Sequence, residues 1–190
     1  MENKFLENYF LQFKKLLDFK KEDIAKLIAA SKLMKEAQKK NKKTLIFGNG
    51  GSAAIASHFS VDLTKNANVR CTNYNESDLL TCFSNDFGYE NWVQKAIEFY
   101  ADKDDILILI SSSGNSQNMI NAAHHAKKFG IKSIITFTGN KDGNKLQKMG
   151  DLNFWVNSSS YNHIENVHQI LLLSIVDLIS GKSESNLKQS

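Results

Sequence analysis

Two short segments of this 190-residue chain concentrate groups able to bind or transform a polar substrate. The first, Gly48-Asn49-Gly50-Gly51-Ser52, combines an amide and a hydroxyl with three glycines, and a helical pattern begins at residue 53. Glycine lets the backbone take positive φ and approach a ligand closely, and a helix start offers unpaired N–H groups, so this loop suits an anion or a sugar oxygen. The second, Ser111-Ser112-Ser113-Gly114-Asn115-Ser116, sets four hydroxyls around one glycine ahead of another helical pattern. Hydroxyl and amide donors without lysine suit a phosphate monoester on a small polar molecule.

Two nucleotide readings fail on spacing. Gly48-Asn49-Gly50-Gly51-Ser52-Ala53 satisfies the dinucleotide pattern GxGxxA, but the acid needed about 20 residues further on is missing, since Asn73-Tyr74-Asn75 precede Glu76. A nucleotide-triphosphate loop needs Gly-Lys-Ser or Gly-Lys-Thr after its glycines, and neither loop continues that way. No nucleotide cofactor is expected.

The elements that must position these loops follow from periodicity. Leu6, Phe10, Phe13 and Leu17, then Ile24, Leu27, Ser31 and Met34, recur every three or four positions and predict two helices, an N-terminal arm over residues 1–43. Short apolar runs predict strands at residues 44–47, 105–110, 133–137 and 152–156, with another near 69–73. Helices are predicted at residues 53–63, 91–100, 117–129 and 164–179, the third closed by Gly130, and residues 183–190 read as a polar tail. Strands alternating with helices define an α/β domain with a parallel sheet covered on both faces, and both loops then lie at the carboxyl edge where such sheets bind ligands.

Composition narrows the function classes. With 42% apolar and 23% charged residues, the chain is long enough for one domain with a packed core. Cys71 and Cys82 have no CxxC spacing and define neither a disulfide framework nor a thiolate zinc site. The net charge of +4 comes from residues 1–43, where 12 lysines face six acids, and Arg70 is the single arginine. Nucleic acid is therefore not an expected partner. The most apolar stretch, residues 170–179, contains Asp177 and is half the roughly 20 residues that a membrane helix needs. Residues 1–10 mix charges with aromatics and lack the apolar core of a secretory signal, so a cytoplasmic protein is expected.

Phe47-Gly48-Asn49-Gly50-Gly51-Ser52-Ala53-Ala54, His58-Phe59, Asn85-Asp86-Phe87-Gly88-Tyr89-Glu90 and Ile110-Ser111-Ser112-Ser113-Gly114-Asn115-Ser116 together resemble the phosphoheptose isomerase family of sugar isomerase (SIS) domains, over about residues 1–180. The resemblance implies a single SIS domain over residues 44–182, with a flavodoxin-like parallel sheet flanked by helices. It also implies a homotetramer with active sites between subunits. The implied reaction is isomerisation of sedoheptulose 7-phosphate to D-glycero-D-manno-heptose 7-phosphate, for the heptose of lipopolysaccharide or capsule. Carried over by motif, Asn49, Gly50, Gly51, Ser52, Asn85 and Asp86 contact the substrate, and Ser111, Ser112, Ser113 and Ser116 hold the phosphate.

Aldose–ketose isomerisation moves a proton between C1 and C2 through an enediol, so it needs a base, an acid to serve oxygen and a group that polarises the carbonyl. The family places a His and a Glu four apart after the glycine loop, and a Gln and a His eight apart on the last helix, as metal ligands and acid–base groups. Here His58 matches, Asp62 stands at the Glu position, Glu165 at the substrate-binding Gln position and Leu173 at the second His. Leucine moves no protons. Asp62 is one methylene shorter than Glu, about 1 Å of reach, a displacement that costs on the order of 10²-fold where positioning is strict.

His58 and Asp62 are four apart and Glu165 and His168 three apart, so each pair is expected on one helix face, and the four together would suit one zinc or other divalent ion per subunit. His163, ahead of the last helix, is a candidate to reach a neighbouring subunit's site, while His124 and His125 read as surface or packing residues. Asp62 is the candidate base and His58 the candidate acid or metal ligand. The alternative is a non-catalytic SIS protein that binds a phosphosugar or a protein partner, in the manner of the relative that associates with the bacterial replication initiator. Leu173 is the feature favouring it.

Overall fold

The computed structural model describes residues 1–181; the polar tail read at 183–190 lies outside them. Two helices, α1 (Glu2–Leu16) and α2 (Lys21–Lys39), lead into β1 (Thr44–Phe47), α3 (Gly51–Ala67) and β2 (Cys71–Thr72). The helices α4 (Ser77–Phe87) and α5 (Trp92–Tyr100) precede β3 (Ile106–Ser111), α6 (Gln117–Phe129) and β4 (Ser133–Gly139). A single 3₁₀ turn (Gln147–Met149), β5 (Leu152–Val156) and α7 (Tyr161–Ser180) complete the order.

All strand pairs are parallel and the sheet order is β2-β1-β3-β4-β5, the flavodoxin-like winding. Side-chain alternation explains the continuous apolar runs. Ile46, Ile106, Ile108 and Ile110 point to the face covered by α2, α3 and α7, while Leu45, Phe47, Leu107 and Leu109 point to the face covered by α5 and α6. Gly130 ends α6 in the left-handed conformation, as its position predicts.

Two elements depart from the pattern. The strand expected near residues 69–73 narrows to Cys71–Thr72 at the sheet edge. Residues 77–87, which carry Asn85 and Asp86, form the helix α4, which rests on the core through the partly buried Leu79, Leu80 and Phe83.

At the edge of the sheet opposite the two loops, Asp105 is fully buried and pins the chain. Its carboxylate accepts the N–H groups of Lys43 at 2.9 Å and Asp102 at 2.8 Å, and pairs with Lys43 Nζ at 2.8 Å. Burial alone would lower the Lys43 pKa, but its hydrogen bonds to Asp102 and Asp105 outweigh that and hold it above its ordinary value.

α1 buries no residue completely; Phe13 and Leu16 rest on the core, while Phe5, Leu6, Phe10 and Leu11 remain exposed.

Candidate functional site

The register Phe47↔Leu109 brings β1 and β3 to the same carboxyl edge, so the loops after them meet at the point where the strand order reverses. Local geometry depends on glycine at two positions. A Cβ on Gly48 would collide with the Ser52 backbone, and Gly114, at φ +66°, has no room for a Cβ beside Asn144. Neither α3 nor α6 carries a side-chain cap hydrogen bond at its start. Their first turns therefore leave N–H groups and positive dipole ends for a ligand.

Between the loops lies a cleft of about 150 Å³, lined by Asn49 and Ser52 from the first, Ser111, Ser112, Ser113 and Ser116 from the second, and Tyr161 and Glu165 from α7. Ser111 Oγ stands 2.9 Å from Ser116 Oγ and 3.4 Å from Ser113 Oγ, and Ser112 Oγ is buried with no partner among the described residues. Among the described residues no lysine, arginine or histidine lines the cleft; the Arg70 guanidinium donates instead to the Asn41 carbonyl. Hydroxyls and helix starts must therefore supply the recognition of an anion. The cleft is smaller than the roughly 300–1,000 Å³ of whole small-molecule pockets, which suits it to one end of a ligand.

Further along α3, His58 Nε2 lies 3.2 Å from Asp62 Oδ2, with His58 exposed and Asp62 half-buried. Gln169 Nε2 of α7 stands 3.3 Å from His58 Nδ1. An amide N–H donated to Nδ1 places the imidazole proton on Nε2, facing the Asp62 carboxylate.

His168 is corrected from its expected place in a metal quartet. It is fully buried, with Nε2 3.0 Å from the Thr138 carbonyl and its ring edge-on to Phe137. The reason is helical phase: position i+4 is only about 40° from i, whereas i+3 is about 60° away on the other side. Glu165 and Gln169 therefore face α3, and His168 turns into the sheet. Among the described residues no group of three or more His, Cys, Asp or Glu is arranged to hold a metal ion. Among the described residues of one chain, His58, Asp62, Glu165 and His168 are not gathered as four ligands of one zinc ion.

Burial lowers the His168 pKa to about 4, against a smaller upward pull from its hydrogen bond to Thr138. The folded chain therefore favours neutral His168. Its contribution is fully present above the unfolded value near 6.5 and is lost as pH falls from there towards 4. Between pH 7 and pH 5, wild type is expected to lose about 2 kcal/mol more than His168→Gln, which keeps an N–H for Thr138 but does not titrate. Urea denaturation at the two pH values measures it, and equal losses would assign the pH dependence to other groups.

Asn85 and Asp86 lie exposed in the last turn of α4, where Asn85 Nδ2 donates to Asp86 Oδ1 at 2.9 Å; within one chain they do not line the cleft. Their segment still reaches it, because the Tyr89 hydroxyl donates to Asn49 Oδ1 at 3.1 Å. His163 is packed between Tyr9 and Phe13, 3% exposed, within its own chain. Asn118, Tyr161 and Gln169 are site residues outside every motif read in the sequence, and Tyr89 lies inside one without being singled out there. Of the three outside the motifs, only Asn118 carried a signal, a polar residue on the apolar face of the helix that follows the serine loop.

Comparison with known proteins agrees with this geometry. The SIS domain family model matches residues 8–139. The chain is 36% identical over 159 residues to the phosphoheptose isomerase of Aliarcobacter butzleri, covering 80% of this chain and 83% of that protein. It is 31% identical over 181 residues to that of Helicobacter pylori, covering 92% and 93%. The solved structure of the phosphoheptose isomerase from Neisseria gonorrhoeae has a TM-score of 0.86 at 27% identity, covering 96% of this chain and 100% of that one. Fold, loops and sequence agree: the chain belongs to the phosphoheptose isomerase family of SIS-domain proteins.

Proposed function

We propose that this protein is an aldose–ketose isomerase that converts sedoheptulose 7-phosphate to D-glycero-D-manno-heptose 7-phosphate, supplying heptose for lipopolysaccharide or capsule. The observation that carries the reading is the serine-rich cleft at the β1/β3 switch point, lined among the described residues by no lysine or arginine, with a histidine–carboxylate pair further along α3. Ser52 and His58 are six residues apart, about 9 Å along α3. That separation lets the serine loop hold the phosphate of an open-chain sugar while its C1–C2 end lies against the pair.

In this reading Asp62 removes the proton from C1 of the ketose as His58 donates one to the C2 carbonyl oxygen, giving the enediol. Return of a proton to C2 and loss of one from the C1 hydroxyl give the aldose, so no proton is gained or lost overall. Gln169 occupies His58 Nδ1, which leaves Nε2, beside Asp62, as the nitrogen that carries the transferred proton. Glu165 and Asn49 contact the sugar next to the phosphate.

His58 is exposed in one chain, and Asn85 and Asp86 stand outside the cleft. Both facts favour a homotetramer in which neighbouring subunits cover and complete each site, with the exposed Phe5, Leu6, Phe10 and Leu11 of α1 among the contacts. Among the described residues no helix is long and apolar enough to cross a membrane, and the cytoplasm is the compartment proposed.

The test is NMR of the protein with sedoheptulose 7-phosphate in D₂O. The expected result is aldose formation together with deuterium at the carbon beside the carbonyl. Binding without conversion or exchange, here and across a panel of phosphosugars, would leave the binding-only alternative.

A further inference from the structure

The side chain of Asn49 is held from three directions. Its Oδ1 accepts the Asn118 Nδ2 proton at 2.8 Å and the Tyr89 hydroxyl proton at 3.1 Å, and its Nδ2 donates to Asn118 Oδ1 at 3.1 Å. An asparagine carries two acceptor lone pairs and two N–H donors, so both lone pairs and one N–H are committed. Turning the amide over would set N–H against N–H and oxygen against oxygen in both bonds to Asn118. One N–H remains, on a side chain that lines the cleft. Asn118 is itself fixed: it is 2% exposed, and its Oδ1 also accepts the Met119 N–H at 3.1 Å.

We infer that Asn118 and Tyr89 are positioning residues that make Asn49 a single, oriented N–H donor to an oxygen of the phosphosugar. The inference rests on the proposed function and deepens it. Without the two neighbours, the Asn49 amide could present either oxygen or nitrogen to the ligand. With them, it offers only a donor, and its orientation is set before the substrate arrives. The geometry also gives the Asn85-to-Glu90 motif a task inside one chain. Gly88, at φ +85°, turns the backbone after α4, and Tyr89 then reaches from that motif to the glycine loop.

A double-mutant cycle tests this. Tyr89→Phe is expected to lower kcat/KM about fivefold to tenfold, the effect of one lost hydrogen bond, and Asn118→Leu about 10²-fold. In an Asn49→Ala background both losses should shrink to under about twofold, because a residue that acts only through Asn49 has nothing left to position. Losses that persist undiminished in that background overturn the inference, as does an unchanged kcat/KM in Tyr89→Phe.

Tyr89 is half exposed, so its variant keeps the test open should Asn118→Leu fail to fold. Calorimetric titration with sedoheptulose 7-phosphate reads the same cycle without turnover. A wild type that binds but does not isomerise would fail the proposed function while the coupling still decides the inference. A wild type that does not bind overturns both.

Discussion

Asp62→Asn is expected to lower kcat about 10³-fold, within the range a positioned general base contributes, while the affinity for the sugar phosphate changes little. Asparagine is nearly isosteric and still accepts a hydrogen bond from His58, so the pair 3.2 Å apart keeps its shape and loses only the ability to take a proton. Deuterium entry should fall with conversion, since both require C–H cleavage. Glu165→Gln is the comparison that gives the result its meaning, because among the described residues Glu165 is the one carboxylate lining the cleft. Full turnover by Asp62→Asn together with none by Glu165→Gln would move the proton transfer to Glu165. Loss in Asp62→Asn with a higher KM in Glu165→Gln would support the roles proposed.

Ser111→Ala combined with Ser113→Ala should weaken binding of the phosphate end about 10²-fold to 10³-fold. Ser111 Oγ is the centre of the hydroxyl cluster, touching both Ser113 and Ser116, and among the described residues no cationic side chain in the cleft makes up for hydroxyls that are lost. Each hydrogen bond to a charged group contributes about 1.5–3 kcal/mol, and two such losses give the stated range even if they are not fully additive. KM for the phosphorylated sugar and the inhibition constant of inorganic phosphate should rise by similar factors, with little change in kcat. If phosphate inhibition is unchanged while KM rises, the serine loop would be holding sugar hydroxyls instead.

The elements that carry the site were open to reading because their signals are local. The four residues of β1 and the five of β5 are short, mostly apolar runs bounded by turn residues, and α6 shows both of its ends in Ser116 and Gly130. The two loops identify themselves by composition. Less was legible where stabilisation comes from elsewhere in the chain. The strand β2 is two residues long and exists by pairing with β1, and α4 has no fully buried residue to mark its inner face.

By itself, the sequence determined the class of fold, the order of its main elements and the two ligand loops, because hydrophobic period, glycine conformation and helix starts are properties of neighbouring residues. It also pointed to His58 with Asp62, since a spacing of four places two side chains together on any helix. Tertiary structure alone decided which residue of α7 meets that pair. Gln169 faces α3 and His168 faces the sheet, and the choice between adjacent positions depends on the rotation of α7 against its neighbours. It alone decided that Asn49 is bound by Asn118, 69 residues away, and by Tyr89, 40 residues away. Hydrogen bonds between side chains so distant in sequence are set by the winding of the whole sheet, which no local pattern encodes.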